Sequence, residues 1–317
     1  MGPEPRCKRN AMASEKSGKT QDDVLVSTAW LSRRLADPDL VVIDASVLKD
    51  EDARGNRIWR SGRSAFETAG HIPGARFADL IADFSDPDAP HAFTRPGTGR
   101  FAGAAGKLGL SNRARIVAYD NTTGIWAARL WWLLRAFGHD HAAVLDGGLT
   151  AWIAESRPLE RGPGAANPTR FTARERPGCF VDGSDVLAVV EGRAAGLLAC
   201  VLRPPVFAGV ERRYARPGHI PGSLNLPYED LLGPDNRLSA IDVLRERLAP
   251  LIESDQRRFI LYCGGGATAA GTALVLSYLG AHDVAVYDGS LAEWSADPTL
   301  PMVFGRPDPA ADARASP

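Results

Sequence analysis

Short apolar runs alternate with longer helix-like segments along most of the chain. The runs are rich in Val, Ile and Leu, and the segment from Ile125 to Phe137 carries its apolar residues at helical spacing. Alternating buried strands and helices are typical of a parallel sheet covered on both faces. The pattern therefore predicts an α/β fold. The predicted strands are LVVID, RIVAYD and AAVLD in the first half and GLLACVL, RFILYC and VAVYD in the second.

The same design occurs twice. GHIPGARF, beginning at Gly70, returns as GHIPGSLN at Gly218, and the stretch ending at Trp152 resembles the stretch ending at Trp294. A long-period internal repeat indicates duplicated structural units. We therefore expect two tandem domains, each with a parallel sheet flanked by helices.

Composition places the domain boundaries between the two repeats. A stretch rich in Pro, Gly and Ala separates them, as expected of a linker. The predicted divisions are a disordered tail at 1–22, a first domain at 23–158, a linker at 159–176, a second domain at 177–304 and a tail at 305–317.

Charge and cysteine content narrow the functional classes. The 317 residues have a formal net charge of −1, which gives no general attraction to nucleic acid or anionic lipid. No apolar run reaches the roughly 18 residues of a membrane span. The four cysteines form no CxxC pair and suggest neither a disulfide framework nor a zinc site. We expect a cytoplasmic protein with no metal, no cofactor, and no nucleic-acid or membrane partner.

Cys263 lies at a position where a catalytic or binding residue is expected. It follows the predicted strand RFILY, and ligands of open parallel sheets gather at the carboxyl ends of strands. The loop Gly264, Gly265, Gly266, Ala267 and Thr268 follows. Its glycines allow successive amides to turn inward, and the helix predicted to begin near Thr268 directs its positive end to the same point. This arrangement favours a reactive thiolate.

An isolated cysteine after a buried strand is more often an inert core residue. That interpretation suits Cys200, which is followed by Val201 and Leu202 rather than by glycines. In the first repeat the position of Cys263 is held by Asp120. We therefore expect one reactive site, in the second domain, and a non-catalytic first domain.

Histidines are candidate bases for a cysteine nucleophile. His71 and His219 both lie in GHIPG, yet only one repeat contains the cysteine. A hydrogen bond that fixes the loop explains both histidines better than catalysis does.

The duplicated GHIPG, the closing segment YDGS followed by EW, and the cysteine loop together resemble tandem rhodanese-type sulfurtransferases. The resemblance extends from about Asp23 to Met302. It implies that Cys263 takes a sulfane sulfur from a donor, becomes a persulfide, and passes the sulfur to cyanide or a thiol, with a thioredoxin-like reductant as a further candidate partner. It also places His71 beside the site in a supporting role.

The same resemblance bears on the donor. Relatives that prefer thiosulfate carry Arg and Lys after the cysteine, whereas those that prefer 3-mercaptopyruvate carry an uncharged loop. CGGGATA is uncharged, and a dianion gains more than a monocarboxylate from added positive charge. We expect 3-mercaptopyruvate as donor, with thiosulfate as the alternative.

The family pattern is altered before the second GHIPG. Ala199 and Val201 stand where Asp and Arg are usual, and Val206 replaces an Arg that grips the donor. Arg212 and Arg213 could supply a guanidinium instead, although a solvated turn is equally consistent with them. These changes keep open a second interpretation, a sulfur-carrier or binding module with weak turnover of small donors. A phosphatase is disfavoured, because Ala269 occupies the position where phosphate binding would need Arg.

Overall fold

The computed structural model describes residues 24–52, 57–254 and 258–305. The tail predicted at 1–22 lies outside the described residues. Of the tail predicted at 305–317, only residue 305 is described. Elements of the first half are β1 Leu25–Val26, α1 Thr28–Ser32, β2 Leu40–Asp44, β3 Val47–Glu51, β4 Arg57–Ser61, α2 Arg63–Thr68, β5 Arg76–Phe77, α3 Thr98–Lys107, β6 Arg115–Tyr119, α4 Ile125–Ala136, β7 Ala142–Leu145 and α5 Gly148–Ala154.

The second half repeats this order of strands and helices without a counterpart of the β3–β4 hairpin among its described residues. Its elements are β8 Phe180–Val181, α6 Gly183–Val190, β9 Leu197–Cys200, α7 Pro204–Phe207, β10 Leu224–Asn225, a 3-10 helix Tyr228–Leu231, α8 Ile241–Ile252, β11 Phe259–Tyr262, α9 Ala267–Tyr278, β12 Val284–Tyr287 and α10 Ser290–Trp294.

Each half contains, within the described residues, a five-stranded parallel sheet. The strand orders are β1-β7-β6-β2-β5 and β10-β9-β11-β12-β8. The inner strands β6 and β11 are buried at nearly every position, as expected for sheets covered on both faces. The predicted α/β class with two parallel sheets is confirmed. The antiparallel hairpin β3–β4 was not predicted, because its alternating pattern contains too few apolar residues.

The two GHIPG loops are fixed by the same contacts. Nδ1 of His71 lies 2.9 Å from the carbonyl oxygen of Phe66, and Nδ1 of His219 lies 2.9 Å from that of Phe207. Each imidazole also stacks on the ring of the same phenylalanine. The contacts of both histidines are therefore those of loop anchors.

Helices α4 and α9 form the centre of the contact between the halves. One hydrophobic cluster includes buried residues of both helices and both sheets. Arg129 of α4 is only 1% exposed, and its Nη2 donates to the carbonyl of Phe93 at 2.6 Å and lies 2.7 Å from Oδ1 of Asp288 in the second half. A buried guanidinium thus joins the two halves beside the cysteine loop.

The segment 159–176, predicted as a linker, follows the surface of the first half. Glu160 pairs with His71, the Thr169 amide donates to the Gly106 carbonyl, and the Arg174 amide donates to the Phe137 carbonyl. Phe171 is buried against Phe101. These contacts hold the connection between the halves along one path.

Candidate active site

Cys263 directly follows β11 and lies between the two halves at the base of a cleft. The residue is 2% exposed. Its amide donates to Oγ of Ser290 at 3.1 Å, and its carbonyl accepts from the Leu291 amide. The start of α10 therefore holds the backbone on which the thiol is mounted.

Two of the three glycines after Cys263, Gly264 and Gly266, have close neighbours. A Cβ on Gly264 would lie 2.1 Å from Oη of Tyr214. Gly266 has φ of +80°, and a Cβ there would lie 2.9 Å from Nη1 of Arg129. A side chain at Gly264 would displace Tyr214, and one at Gly266 would be strained and crowded.

The corresponding loop of the first half is folded around its own carboxylate. Asp120 Oδ1 accepts from the amides of Thr122 and Gly124, and Oδ2 accepts from those of Trp126 and Ala127, at 2.8–3.1 Å. The loop amides and the start of α4 therefore bind one anion in this half, as expected at a helix N-terminus.

The second half has the same frame with a thiol in place of the carboxylate. The first residue before the helix is a left-handed glycine in both, Gly124 before α4 and Gly266 before α9. By this alignment the amides of Gly266, Thr268 and Ala269 correspond to those that hold Asp120. Gly266 has no side chain with which to cap them, so they can stabilise a negatively charged sulfur.

The cleft above Cys263 has a volume of about 720 Å³ and is lined from both halves. Trp59, Phe93, Ile125 and Trp126 form the wall on the first half. The Trp59 and Trp126 rings meet edge to face at 5.2 Å, and Phe93 lies 4.8 Å from Trp126. Trp126 belongs to α4, within the segment that the sequence predicted to be helical. It is buried, at 3% exposure, and it also borders the cleft.

Three arginines line the opposite side: Arg203, Arg212 and Arg213. Arg203 pairs with Glu211 at 2.5 Å, and Arg213 pairs with the same carboxylate. None of the ion pairs among the described residues includes Arg212. Its guanidinium is therefore the one available to a donor carboxylate.

The structure brings most of the predicted site residues together. Cys263, Gly264, Gly265, Ala267, Thr268, Arg212 and Arg213 line the cleft, and Gly266 lies just behind, against Arg129 and Asp288. His71 is not part of this lining. It is fully buried in its own loop, and this placement differs from the expected position beside the site.

Strand register corrects one alignment made from the sequence. Asp44 pairs with Tyr119 in the first half, and Cys200 pairs with Tyr262 in the second. The carboxylate position of the first repeat thus corresponds to Cys200 and not to Ala199, which is buried in the core. Val201 and Val206 do line the cleft and present aliphatic surface to it.

The other two described cysteines have unfavourable surroundings for nucleophilic chemistry. Burial raises the pKa of the Cys200 thiol to about 12 and also raises that of Cys179. A thiol that stays protonated is a weak nucleophile. Neither cysteine lines the cleft.

Sequence reasoning missed Trp59, Phe93, Arg203, Tyr214 and Tyr228 as cleft residues. Tyr214 and Arg203 flank the altered stretch before GHIPG, and the aromatic residues Trp59 and Phe93 belong to the other half of the chain. Only tertiary structure places them near Cys263. Within the described residues, no cluster of three or more His, Cys, Asp or Glu could hold a metal, and no helix is long and apolar enough to cross a membrane.

Comparisons with known proteins agree with this architecture. The rhodanese-like domain family model matches residues 27–155 and 204–297. The chain is 34% identical over 284 residues to human 3-mercaptopyruvate sulfurtransferase, covering 85% of this chain and 91% of that protein. It is 32% identical over 284 residues to mouse thiosulfate sulfurtransferase, with the same coverage.

A solved structure shares the fold at similar identity. The crystal structure of SseA from Escherichia coli, described as having the rhodanese fold and as a 3-mercaptopyruvate sulfurtransferase, superposes with a TM-score of 0.72 and 31% identity. The match covers 87% of this chain and all of that one. These matches extend over most of the chain, and they agree with its two parallel sheets and with the cysteine at the end of the central strand β11. The chain belongs to the rhodanese family of sulfurtransferases.

Proposed function

We propose that the protein transfers sulfur from 3-mercaptopyruvate through a persulfide on Cys263 to a thiol or to cyanide. The observation that carries this proposal is the position of Cys263. Its thiol lies at the base of the cleft, at the position in the second half that corresponds to the Asp120 carboxylate in the first. The cradle that holds a carboxylate in one half suits a thiolate and then a persulfide anion in the other.

The first step is an attack on sulfur. The Cys263 thiolate forms a bond to the donor sulfur, and the bond between that sulfur and its carbon breaks, with the electron pair leaving on the carbon. The acceptor then attacks the terminal sulfur of the persulfide, and Cys263 leaves again as thiolate. This is a two-step covalent mechanism in which the second half-reaction restores the nucleophile of the first.

Charge in the cleft favours a monoanionic donor. Two of the three lining arginines are paired with Glu211, which leaves Arg212 as the cation for one carboxylate. Thiosulfate would be desolvated against Val201, Val206 and an uncharged loop. Thiosulfate remains the second candidate donor, and a cytoplasmic setting and a thioredoxin-like acceptor remain predictions from the sequence.

Replacement of Cys263 by Ser tests the nucleophile. We expect kcat/KM for sulfur transfer from 3-mercaptopyruvate to fall by about 10³-fold or more, because the covalent intermediate cannot form. Persulfide formation would be measured by intact mass after mixing with donor alone, and turnover by thiocyanate formed from cyanide.

Cys200→Ala is the matched control, since it removes a buried thiol next to the same sheet. It should keep the donor-dependent mass increase and the turnover. Loss of activity in Cys200→Ala with retention in Cys263→Ser would place the nucleophile elsewhere.

A sulfur-carrier or binding module is the alternative, and the aliphatic Val201 and Val206 favour it. Its signature would be a Cys263 persulfide that forms from a protein or polysulfide donor but not from either small donor. Steady-state comparison of 3-mercaptopyruvate and thiosulfate separates the two interpretations.

A further inference from the structure

The hydroxyl of Tyr214 lies against the cysteine loop. Tyr214 is half-buried in the segment between α7 and β10 and lines the cleft. A Cβ added to Gly264 would lie 2.1 Å from Oη of Tyr214 and 3.0 Å from its Cζ. The phenol oxygen therefore stands over the α-carbon of the residue that follows the nucleophile.

The proposed reaction needs an acid at that place. When the Cys263 thiolate takes the sulfur of 3-mercaptopyruvate, the electron pair of the broken bond leaves as the enolate of pyruvate. An enolate is a poor leaving group unless it is protonated as it forms, and a positioned acid accelerates such steps by about 10²–10⁴-fold. Thiosulfate differs, because its leaving group, sulfite, is stable as an anion.

The described residues that line the cleft offer few other proton donors. Tyr228 is only 4% exposed, and burial raises the pKa of its hydroxyl. The Glu229 side chain is 69% exposed, and its carboxylate lies 3.9 Å from Arg203. A carboxylate in that position accepts hydrogen bonds but donates none.

Thr268 also lines the cleft, but an aliphatic hydroxyl is a much weaker acid than a phenol, whose ordinary pKa is about 10. The histidines are held elsewhere, since His71 and His219 are buried against Phe66 and Phe207. Tyr214 is a phenol whose hydroxyl lies at the loop.

We propose that Tyr214 is the catalytic acid of the first half-reaction, which makes the site selective for donors whose leaving group is an enolate. This inference rests on the proposed function. The Tyr214 hydroxyl gives its proton to the enolate, so that pyruvate leaves. The phenolate then takes the proton of the new persulfide, which remains as an anion in the amide cradle. In sum, one proton moves from the donor sulfur to the donor carbon, and no oxidant or reductant is required.

Tyr214→Phe tests the assignment, because it keeps the ring and removes only the hydroxyl. We expect the single-turnover rate of Cys263 persulfide formation from 3-mercaptopyruvate to fall by about 10²-fold. The rate of Cys263 alkylation by iodoacetamide should change little, because iodide leaves without a proton. The rate of Cys263 persulfide formation from thiosulfate should likewise change little in Tyr214→Phe.

A solvent deuterium isotope effect gives an independent readout. The wild-type rate with 3-mercaptopyruvate should slow in D₂O, and alkylation of the same thiol should show a smaller effect. Tyr278→Phe, on α9 and outside the cleft, is the matched control and should behave as wild type.

The outcomes are distinct. An equal fall in alkylation and in sulfur transfer would assign Tyr214 a structural role in the loop, and an unchanged rate with 3-mercaptopyruvate would remove it from the mechanism. If wild-type protein forms no Cys263 persulfide from 3-mercaptopyruvate, the proposed function itself is wrong and the acid has no reaction to serve.

Discussion

At the scale of single residues, Asp44 is a buried carboxyl of the first half at the strand position that Cys200 holds in the second. Its carboxyl lies at the end of β2, is 1% exposed, and accepts from the Ser46 amide. Burial raises its pKa from 3.8 to about 6. The folded protein therefore holds this proton more tightly than the unfolded chain does.

This shift predicts a pH dependence of stability. Between about pH 4 and pH 6 the folded state binds the additional proton, so the contribution of Asp44 to the free energy of unfolding decreases as pH rises, by about 3 kcal/mol in all. Asp44→Asn should remove this decrease. We expect its melting temperature to match wild type near pH 4 and to exceed it by several degrees at pH 7.

The exposed Asp88→Asn serves as control and should show no such divergence. A difference between Asp44→Asn and wild type that stays constant from pH 4 to pH 7 would contradict the shifted titration.

The sequence predicted the role of a residue where its neighbours along the chain form a recognisable local pattern. Cys263, three glycines and the start of a helix form a local pattern, and its counterpart Asp120 was found by repeat alignment. Tyr214 carries no such signal. Its hydroxyl reaches Gly264 only because α7 and the following segment fold over the end of β11.

At the scale of elements, the inner strands and α4 were predicted well because continuous apolar runs mark buried positions. The helix expected from Ile125 to Phe137 is α4, Ile125–Ala136. The two-residue strands β1, β5, β8 and β10 were missed, since so few residues cannot show a period.

The β3–β4 hairpin has a specific part in the cleft. It carries Trp59, which is 36% exposed and meets the rings of Phe93 and Trp126. Trp59→Ala should lower kcat/KM for sulfur transfer about tenfold, mainly through KM, because an aromatic contact of about 1 kcal/mol and the exclusion of water are lost.

Ile81→Ala removes an apolar side chain of the same exposure outside the cleft, and it should leave both kinetic parameters unchanged. A fall in kcat alone for Trp59→Ala would instead indicate that the hairpin positions the nucleophile.

At the scale of the whole molecule, one hydrophobic cluster spans both halves, and each half also has a smaller cluster of its own. The largest hydrophobic cluster includes Trp132 of α4 and Leu274 of α9, and the Trp132 indole donates to the Cys179 carbonyl across the boundary. The sequence predicted a fold with two parallel sheets, and this fold is confirmed. The sequence could not show that α4 and α9 pack against each other, because this pairing joins residues that are far apart along the chain.

Arg129 is a buried charge in that interface, and the side chain of its partner Asp288 is 9% exposed. Removing one member of a buried pair leaves the other charge uncompensated. Arg129→Met should therefore lower the free energy of unfolding by about 3–5 kcal/mol, measured by chemical denaturation.

Asp288→Asn in the Arg129→Met background should restore part of this loss, since the amide oxygen can still accept from the Arg95 amide. If the two substitutions are simply additive, the pair does not couple the halves.

The Asp120 carboxylate explains how the two copies of the repeat differ at this loop. This carboxylate occupies the first cradle permanently, so that copy cannot exchange its anion with solvent. One side chain at this position therefore determines whether the loop amides are occupied from within the chain or can bind a negatively charged sulfur. The first half therefore keeps a satisfied loop beside its sheet, while other residues of the same half form one wall of the cleft above Cys263.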